Sequence, residues 1–180
     1  SGSVEAGIAH LDKVIDSFDP SVQGASRYRL GPLSGVSARV TTGLLLWELG
    51  KLDQGVARVA DALAVANEAR HPYSVAFALY HIGFLDVWRG DFESCRLHAE
   101  ELAAVANERD YAVWSTLATL LEGVSLTMLG RPDEGLRLTE ASIELYAGLT
   151  TPPVFWPFVL LLRAMVHGYA GAPDRGLELI

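Results

Sequence analysis

The chain has 180 residues, half of them hydrophobic and a fifth charged, which supports one folded domain or compact array and argues against disorder. Acidic residues outnumber basic ones by 22 to 14, with a net charge of -8 and no long Lys/Arg cluster, which argues against nucleic acid as a direct partner. No apolar run approaches the length of a bilayer span, and the single cysteine, Cys95, leaves no disulfide and no cysteine-based metal site.

The first predicted element is a helix over residues 4–17. Its sequence resembles that of residues 55–63, which follow a turn glycine. We therefore expect an unpaired second helix of a repeat, and a chain that is a fragment of a larger polypeptide. The irregular segment 19–32 predicts a loop, with a helical turn around 26–30.

A short pattern then recurs four times: an apolar stretch, a glycine, two variable residues, an aspartate or glutamate, and then a small residue. The turn glycines are Gly50, Gly90, Gly130 and Gly171. Their spacing is 40, 40 and then 41 residues, and such a constant period is the signature of a repeat protein. Each glycine can adopt the left-handed conformation that ends a helix.

Small residues flank every turn at fixed distances. Seven positions before it stand Gly43, Gly83, Gly123 and Ala164, and five positions after it stand Gly55, Cys95, Gly135 and Gly176. Seven residues are two helical turns, so these positions predict two helices in close contact. Pro132 and Pro173 suit the first turn of the second helix.

These observations predict an all-α fold, a right-handed α-solenoid of antiparallel helix pairs with repeats of about 40 residues. Residues 1–180 are expected to form a single array. Beyond the unpaired helix at 4–17, its parts are three full repeats at 33–70, 73–109 and 112–148, and a truncated repeat at 157–180.

The glycine spacing, seen best at Gly83, Gly90 and Cys95, is similar to the tetratricopeptide (TPR) signature. This chain departs from it in length, 40 residues instead of 34, and in having Leu79 where a tryptophan is usual. The long form, above all the stretch His71–Leu79, resembles the repeat region of large bacterial signalling proteins. In those, helical repeats follow an ATPase and accompany a cyclase or a LuxR-type DNA-binding domain.

No catalytic or metal motif is recognisable. The sequence lacks a P-loop, a nucleophile elbow and a zinc-protease helix, and its five histidines show no ligand spacing. We expect His81 and His98 at the helix surface or in a groove, and Cys95 in a buried packing role. The chain is therefore predicted to be no enzyme and to hold no metal or other cofactor.

One stripe of large apolar residues stands out on the first helix of each repeat. In the second repeat Phe77, Tyr80, Phe84 and Trp88 are spaced by three, four and four residues. Two readings stay open: ordinary core, or an apolar groove on the concave side that takes a helix, peptide or small hydrophobic ligand. The candidate groove residues are Trp47, Phe77, Tyr80, Phe84, Trp88, Leu117, Leu120, Met128, Phe158 and Tyr169.

The function expected from this pattern and from the resemblance is that of a non-catalytic regulatory or sensor module. It would bind a protein, a peptide, another domain of the same chain or a small hydrophobic ligand, and regulate an attached ATPase, cyclase or transcription-regulator domain. The alternative is a plain protein–protein scaffold without signal transfer. We expect a cytoplasmic, bacterial protein that contacts neither membrane nor nucleic acid directly.

Overall fold

The computed structural model describes residues 3–19, 31–149 and 155–179. Across these residues the chain forms helices and no strand, so the predicted all-α repeat fold is confirmed. The helices are α1 (Val4–Asp16), α2 (Ser34–Glu48), α3 (Leu52–Glu68), α4 (Pro72–Arg89), α5 (Phe92–Glu108), α6 (Ala112–Met128), α7 (Pro132–Ala147), α8 (Trp156–Tyr169) and α9 (Pro173–Leu177). Their lengths of 14 to 18 residues from α2 to α8 agree with a 40-residue repeat.

The predicted turn glycines end the first helix of each pair. Gly50, Gly90, Gly130 and Gly171 have φ angles of 74°, 76°, 88° and 87°, in the left-handed region that costs glycine little. After Gly50, Gly130 and Gly171 the next residue closes the turn by donating to a carbonyl five residues back, as Lys51 N does to Leu46 O at 2.8 Å. This is the Schellman arrangement, and it confirms the glycine reading of the repeat.

The connectors that lead from the second helix of one repeat to the first helix of the next also contain a residue with positive φ, but that residue is not glycine. Arg70 and Asp110 have φ angles of 49° and 54°, and the following amides, His71 N and Tyr111 N, donate to alanine carbonyls five residues back. These residues occupy matching positions 40 apart, so the repeat conserves a backbone shape as well as a side-chain pattern.

The chain divides into two compact units, 1–89 and 90–180. In the first, α2 packs against α1, α3 and α4, and α3 packs against α4. A Cβ at Gly43 would lie 2.8 Å from the Gly55 carbonyl oxygen and 2.5 Å from Val59 Cγ2. The two glycines therefore let α2 and α3 approach backbone to backbone, as their spacing predicted.

In the second unit, α6 packs against α5, α7 and α8, and α8 also packs against α7 and α9. The close contact between two glycines of paired helices, here called a glycine seam, recurs in this unit. A Cβ added at Gly123 would lie only 2.8 Å from Gly135 O. Cys95 is buried, with its thiol 3.8 Å from Leu121 O. This position is one of packing, in line with the reading of the small-residue pattern.

The helical turn predicted around 26–30 lies outside the described residues. In the part of the chain that the structure does describe, no helix is long and apolar enough to cross a bilayer.

Candidate functional site

The aromatic stripe of α4 forms one continuous cluster of rings. Its spacing of three and four residues places successive side chains on one helix face. Tyr80 and Phe84 have ring centroids 6.4 Å apart, and those of Phe84 and Trp88 lie 5.9 Å apart in an edge-to-face arrangement. The stripe predicted from the sequence is thus brought together by the helix alone.

Trp47 of α2 joins this cluster from the neighbouring first helix. Its ring stacks on Trp88 at 5.4 Å and meets Phe84 edge-on at 5.6 Å. Both geometries are among the preferred aromatic pairings. The apolar stripe of α2 therefore contacts that of α4, the first helix of the next repeat. The spacing of residues along the sequence did not predict this contact.

Exposure divides the cluster into two layers. Tyr80 and Phe84 are each only 2% exposed, and so offer almost no surface to a ligand. Trp47, Phe77 and Trp88 are partly exposed. The inner pair supports the structure as core residues do, and the outer three form the accessible edge of the cluster.

His81 lies beside the stripe and corrects an expectation. It is buried and not at the surface: its imidazole lies 4.4 Å from the Phe77 ring and 5.1 Å from the Tyr80 ring. Its Nδ1 lies 2.7 Å from Phe77 O, so Nδ1–H donates to that carbonyl. Burial lowers the pKa of His81 to about 4, against a smaller opposing effect of the Phe77 hydrogen bond. At neutral pH the ring is an uncharged member of the cluster.

The equivalent stripe residues of the second unit differ from helix to helix. On α6, Leu117 and Leu120 are fully buried, and Met128 is partly exposed. On α8, Phe158 and Tyr169 are exposed, Tyr169 by 63%. One sequence pattern therefore yields core on one helix and surface on another.

A charged network between α7 and α8 was not foreseen. Arg163 donates to both carboxylate oxygens of Glu140, at 2.8 and 2.6 Å, and His167 Nε2 lies 2.8 Å from Glu140 Oε1. The Arg163 hydrogen bonds are the main cause that lowers the pKa of Glu140. The sequence contains one indication of this network: Arg163 and His167 are four residues apart, which puts both on one face of α8.

A second polar group joins the start of α4 to the start of α2. The Leu33 amide donates to Ser74 Oγ at 2.9 Å, and the Ser74 hydroxyl lies 2.8 Å from His71 Nδ1, which also accepts from the Ser74 amide. All three residues are buried. Although a serine–histidine pair can act as a nucleophile, burial closes this one to a substrate, and its geometry is that of a helix cap.

An open pocket of about 330 Å³ lies at the connector between α5 and α6. It is lined by Ala106, Asn107, Asp110, Tyr111, Ala112 and Ser115. Two of its polar groups are already engaged with each other, because Ser115 Oγ donates to Asn107 Oδ1 at 3.1 Å. Within the described ranges, no three His, Cys, Asp or Glu side chains gather as a metal site.

Comparison with known proteins supports the fold and goes no further. No family model matches the sequence, and no curated protein matches it. The structure is similar to crystal structures of a kinesin light chain-like protein of Podosopora anserina with nearly identical TPR-like repeats. A point variant of that protein matches with a TM-score of 0.61 and 13% identity over 98% of this chain and 82% of that one. A second structure of it gives a TM-score of 0.59 and 13% identity over 98% and 83%. The chain therefore has a TPR-like helical repeat fold.

Proposed function

We propose that this chain is a non-catalytic interaction module that binds a protein or peptide segment at the outer layer of the α2–α4 aromatic cluster. The observation that carries the proposal is the partial exposure of Trp47, Phe77 and Trp88 around a buried pair of rings. Large aromatics on a rigid support are the residues that most often dominate binding free energy.

The chemistry of the cluster favours an apolar ligand segment. The imidazole of His81 is uncharged at neutral pH because burial lowers its pKa to about 4. Trp88 Nε1 is buried and lacks a hydrogen-bond partner in the part of the chain that the structure describes. An apolar side chain that packs on the exposed ring edges fits this surface better than a charged one, which would lose its hydration without gaining a counter-ion.

A displayed library of random peptides, selected on the 180-residue chain, tests the proposal. Selected peptides should lose at least tenfold in affinity with Phe77→Ala, since hot-spot truncations cost about 2 kcal/mol or more. Trp88→Phe, which keeps an aromatic ring, should lose less. Val14→Ala, at an exposed position of α1 in the same unit, should leave affinity unchanged. Peptides that bind the Phe77→Ala variant as tightly as the native chain would contradict the proposal.

The regulatory form of this proposal is that binding biases an attached ATPase, cyclase or transcription-regulator domain in a bacterial cytoplasm. It rests on the resemblance of residues 71–79 to the repeats of large signalling proteins. The complete open reading frame tests it: an adjoining nucleotide-binding and output domain supports the sensor, and a frame without them leaves the plain scaffold.

A further inference from the structure

The pocket at the connector between α5 and α6 lies wholly within the second unit. Its volume of about 330 Å³ is at the lower end of the range of roughly 300–1,000 Å³ for ligand pockets, which suits one side chain or a small ligand. The proposed function makes no use of it, because the α2–α4 aromatic cluster belongs to the first unit. Its polar lining residues, Asn107, Asp110, Tyr111 and Ser115, therefore form a separate candidate site.

The hydrogen-bonding groups of this pocket favour a ligand that donates. Ser115 Oγ donates its one proton to Asn107 Oδ1 at 3.1 Å, which leaves the lone pairs of the hydroxyl oxygen to accept. Asp110 is exposed, and its carboxylate can only accept. Although the Asn107 amide nitrogen can donate, the charged member of the set is an acceptor. A ligand with several N–H donors therefore fits the pocket better than one with several acceptors.

The charge at this connector is negative. Among the described residues no basic side chain lies within ion-pair distance of Asp110, and the adjacent Arg109 is paired with Glu108 at 3.0 Å. Two carboxylates and one guanidinium in three consecutive residues leave one negative charge in excess. A cationic ligand is therefore attracted to the pocket, and an anionic one is repelled.

The matching connector between α3 and α4 has the same backbone shape and the opposite charge. Arg70 occupies the position of Asp110, with a φ angle of 49° against 54°. In both connectors the following amide donates to an alanine carbonyl five residues back. The backbone shape therefore does not require an aspartate at this position. The acidic side chain belongs to the pocket of the second unit and not to the repeat pattern.

From the acceptors, the charge of Asp110 and the aromatic residue beside it, we propose that this pocket binds the guanidinium group of an arginine side chain in a peptide or protein partner. A guanidinium is a planar cation with five N–H donors, which can bond a carboxylate and neighbouring oxygens together and stack on an aromatic face. Tyr111, partly exposed in the pocket wall, supplies the aromatic ring. A lysine ammonium lacks the planar fork and matches this set of groups less well.

NMR titration of the 180-residue chain tests the proposal, with N-acetylarginine amide as the probe. Saturable shifts of the Asn107 and Ser115 amide signals are expected. The corresponding lysine amide should bind more weakly, because it offers no planar fork of donors. The corresponding citrulline amide has nearly the same shape without the charge, and it should bind at least about tenfold more weakly than the arginine probe.

Two variants of Asp110 separate its charge from its backbone role. Asp110→Asn should weaken binding of the arginine probe about tenfold, the loss expected for a charge-assisted hydrogen bond, while asparagine tolerates the left-handed backbone. Asp110→Arg introduces the side chain of the first connector and should abolish binding. Asp133→Asn, at an exposed aspartate of α7 in the same unit, should leave binding unchanged. So should Phe77→Ala in the first unit, which separates this site from the aromatic cluster.

Three results would overturn the proposal: no saturable shift up to about 10 mM probe, equal binding of the arginine and citrulline amides, or native affinity in Asp110→Asn. Equal binding of the arginine and lysine amides would overturn the choice of a guanidinium. A last comparison concerns the source of that group, with free L-arginine set against an end-blocked tripeptide that carries arginine between two glycines. Tighter binding of the tripeptide supports a peptide partner, and tighter binding of the free amino acid overturns it.

Discussion

His81 is a polar side chain in the interior of the first unit, where burial favours the neutral form. The imidazole has rings on two sides, and its Nδ1–H is bonded to the carbonyl of Phe77, one helical turn earlier. Protonation would place a positive charge where burial has removed water, and this is why the pKa falls from 6.5 to about 4. The cluster therefore depends on a neutral histidine.

This dependence predicts a pH effect on stability. Between its folded and unfolded pKa values, His81 binds more protons in the unfolded chain, so stability rises with pH. Lowering the pH from about 7.5 to about 5 should cost on the order of 2 kcal/mol through this residue alone. Urea unfolding measures it: His81→Leu should flatten the pH dependence by that amount. His10→Leu, at an exposed histidine of α1, should not, and equal flattening by both variants would refute the assignment.

At the scale of helices, glycine pairs set how closely two neighbours approach. Gly123 faces the Gly135 carbonyl across the α6–α7 seam, and Gly43 faces that of Gly55 across the α2–α3 seam. Glycine within a helix is unfavourable by roughly 1 kcal/mol relative to alanine. The backbone approach that these glycines permit is what compensates for that cost.

Alanine substitutions can separate the effect of helix propensity from the effect of close helix contact. A Cβ at Gly123 would meet backbone oxygen at 2.8 Å, whereas one at Gly7 of α1 would meet only Leu45 Cδ1 at 3.8 Å, an ordinary contact. Gly123→Ala should therefore destabilise by about 1–3 kcal/mol through overpacking. Gly7→Ala, which makes the same gain in helix propensity, should stabilise by up to about 1 kcal/mol. Thermal melting decides, and a Gly123→Ala variant as stable as Gly7→Ala would remove close contact as the reason for the glycine.

For the molecule as a whole, the division into two units predicts uneven unfolding. In repeat proteins each repeat is stabilised mainly by its neighbours, so damage at one seam should act most strongly on its own unit. Tryptophan fluorescence can follow each unit separately, because Trp47 and Trp88 lie in the first unit and Trp114 and Trp156 lie in the second.

Gly123→Ala should therefore shift the urea midpoint of the second-unit tryptophans more than that of the first-unit pair. The measurement compares fluorescence in two backgrounds, one with Trp47 and Trp88 replaced by phenylalanine and one with Trp114 and Trp156 replaced. Each background is examined with and without the glycine substitution. Equal shifts in both would show that the chain unfolds as one cooperative body.

The sequence alone was sufficient for the repeat, its period and its turns, because these features depend on local physics. Glycine is the residue that takes a positive φ at least cost, as at the four turns that end the first helices. The small residues at Gly43, Gly55, Gly123 and Gly135 indicate helix contact at fixed distances from those turns. The aromatic stripe could also be located from its spacing, because a helix places residues three and four apart on one face whatever surrounds it.

Only the tertiary structure decided which parts of the stripe are core and which are surface. The same pattern is buried at Tyr80 and Leu120 and exposed at Tyr169, because burial depends on the helices packed alongside and not on the residues themselves. Likewise, Glu140 meets Arg163 across two helices, 23 residues apart, and no periodicity marks such a pair. Local conformation is determined by neighbouring residues along the chain, whereas exposure and ion pairing are determined by segments that folding alone brings together.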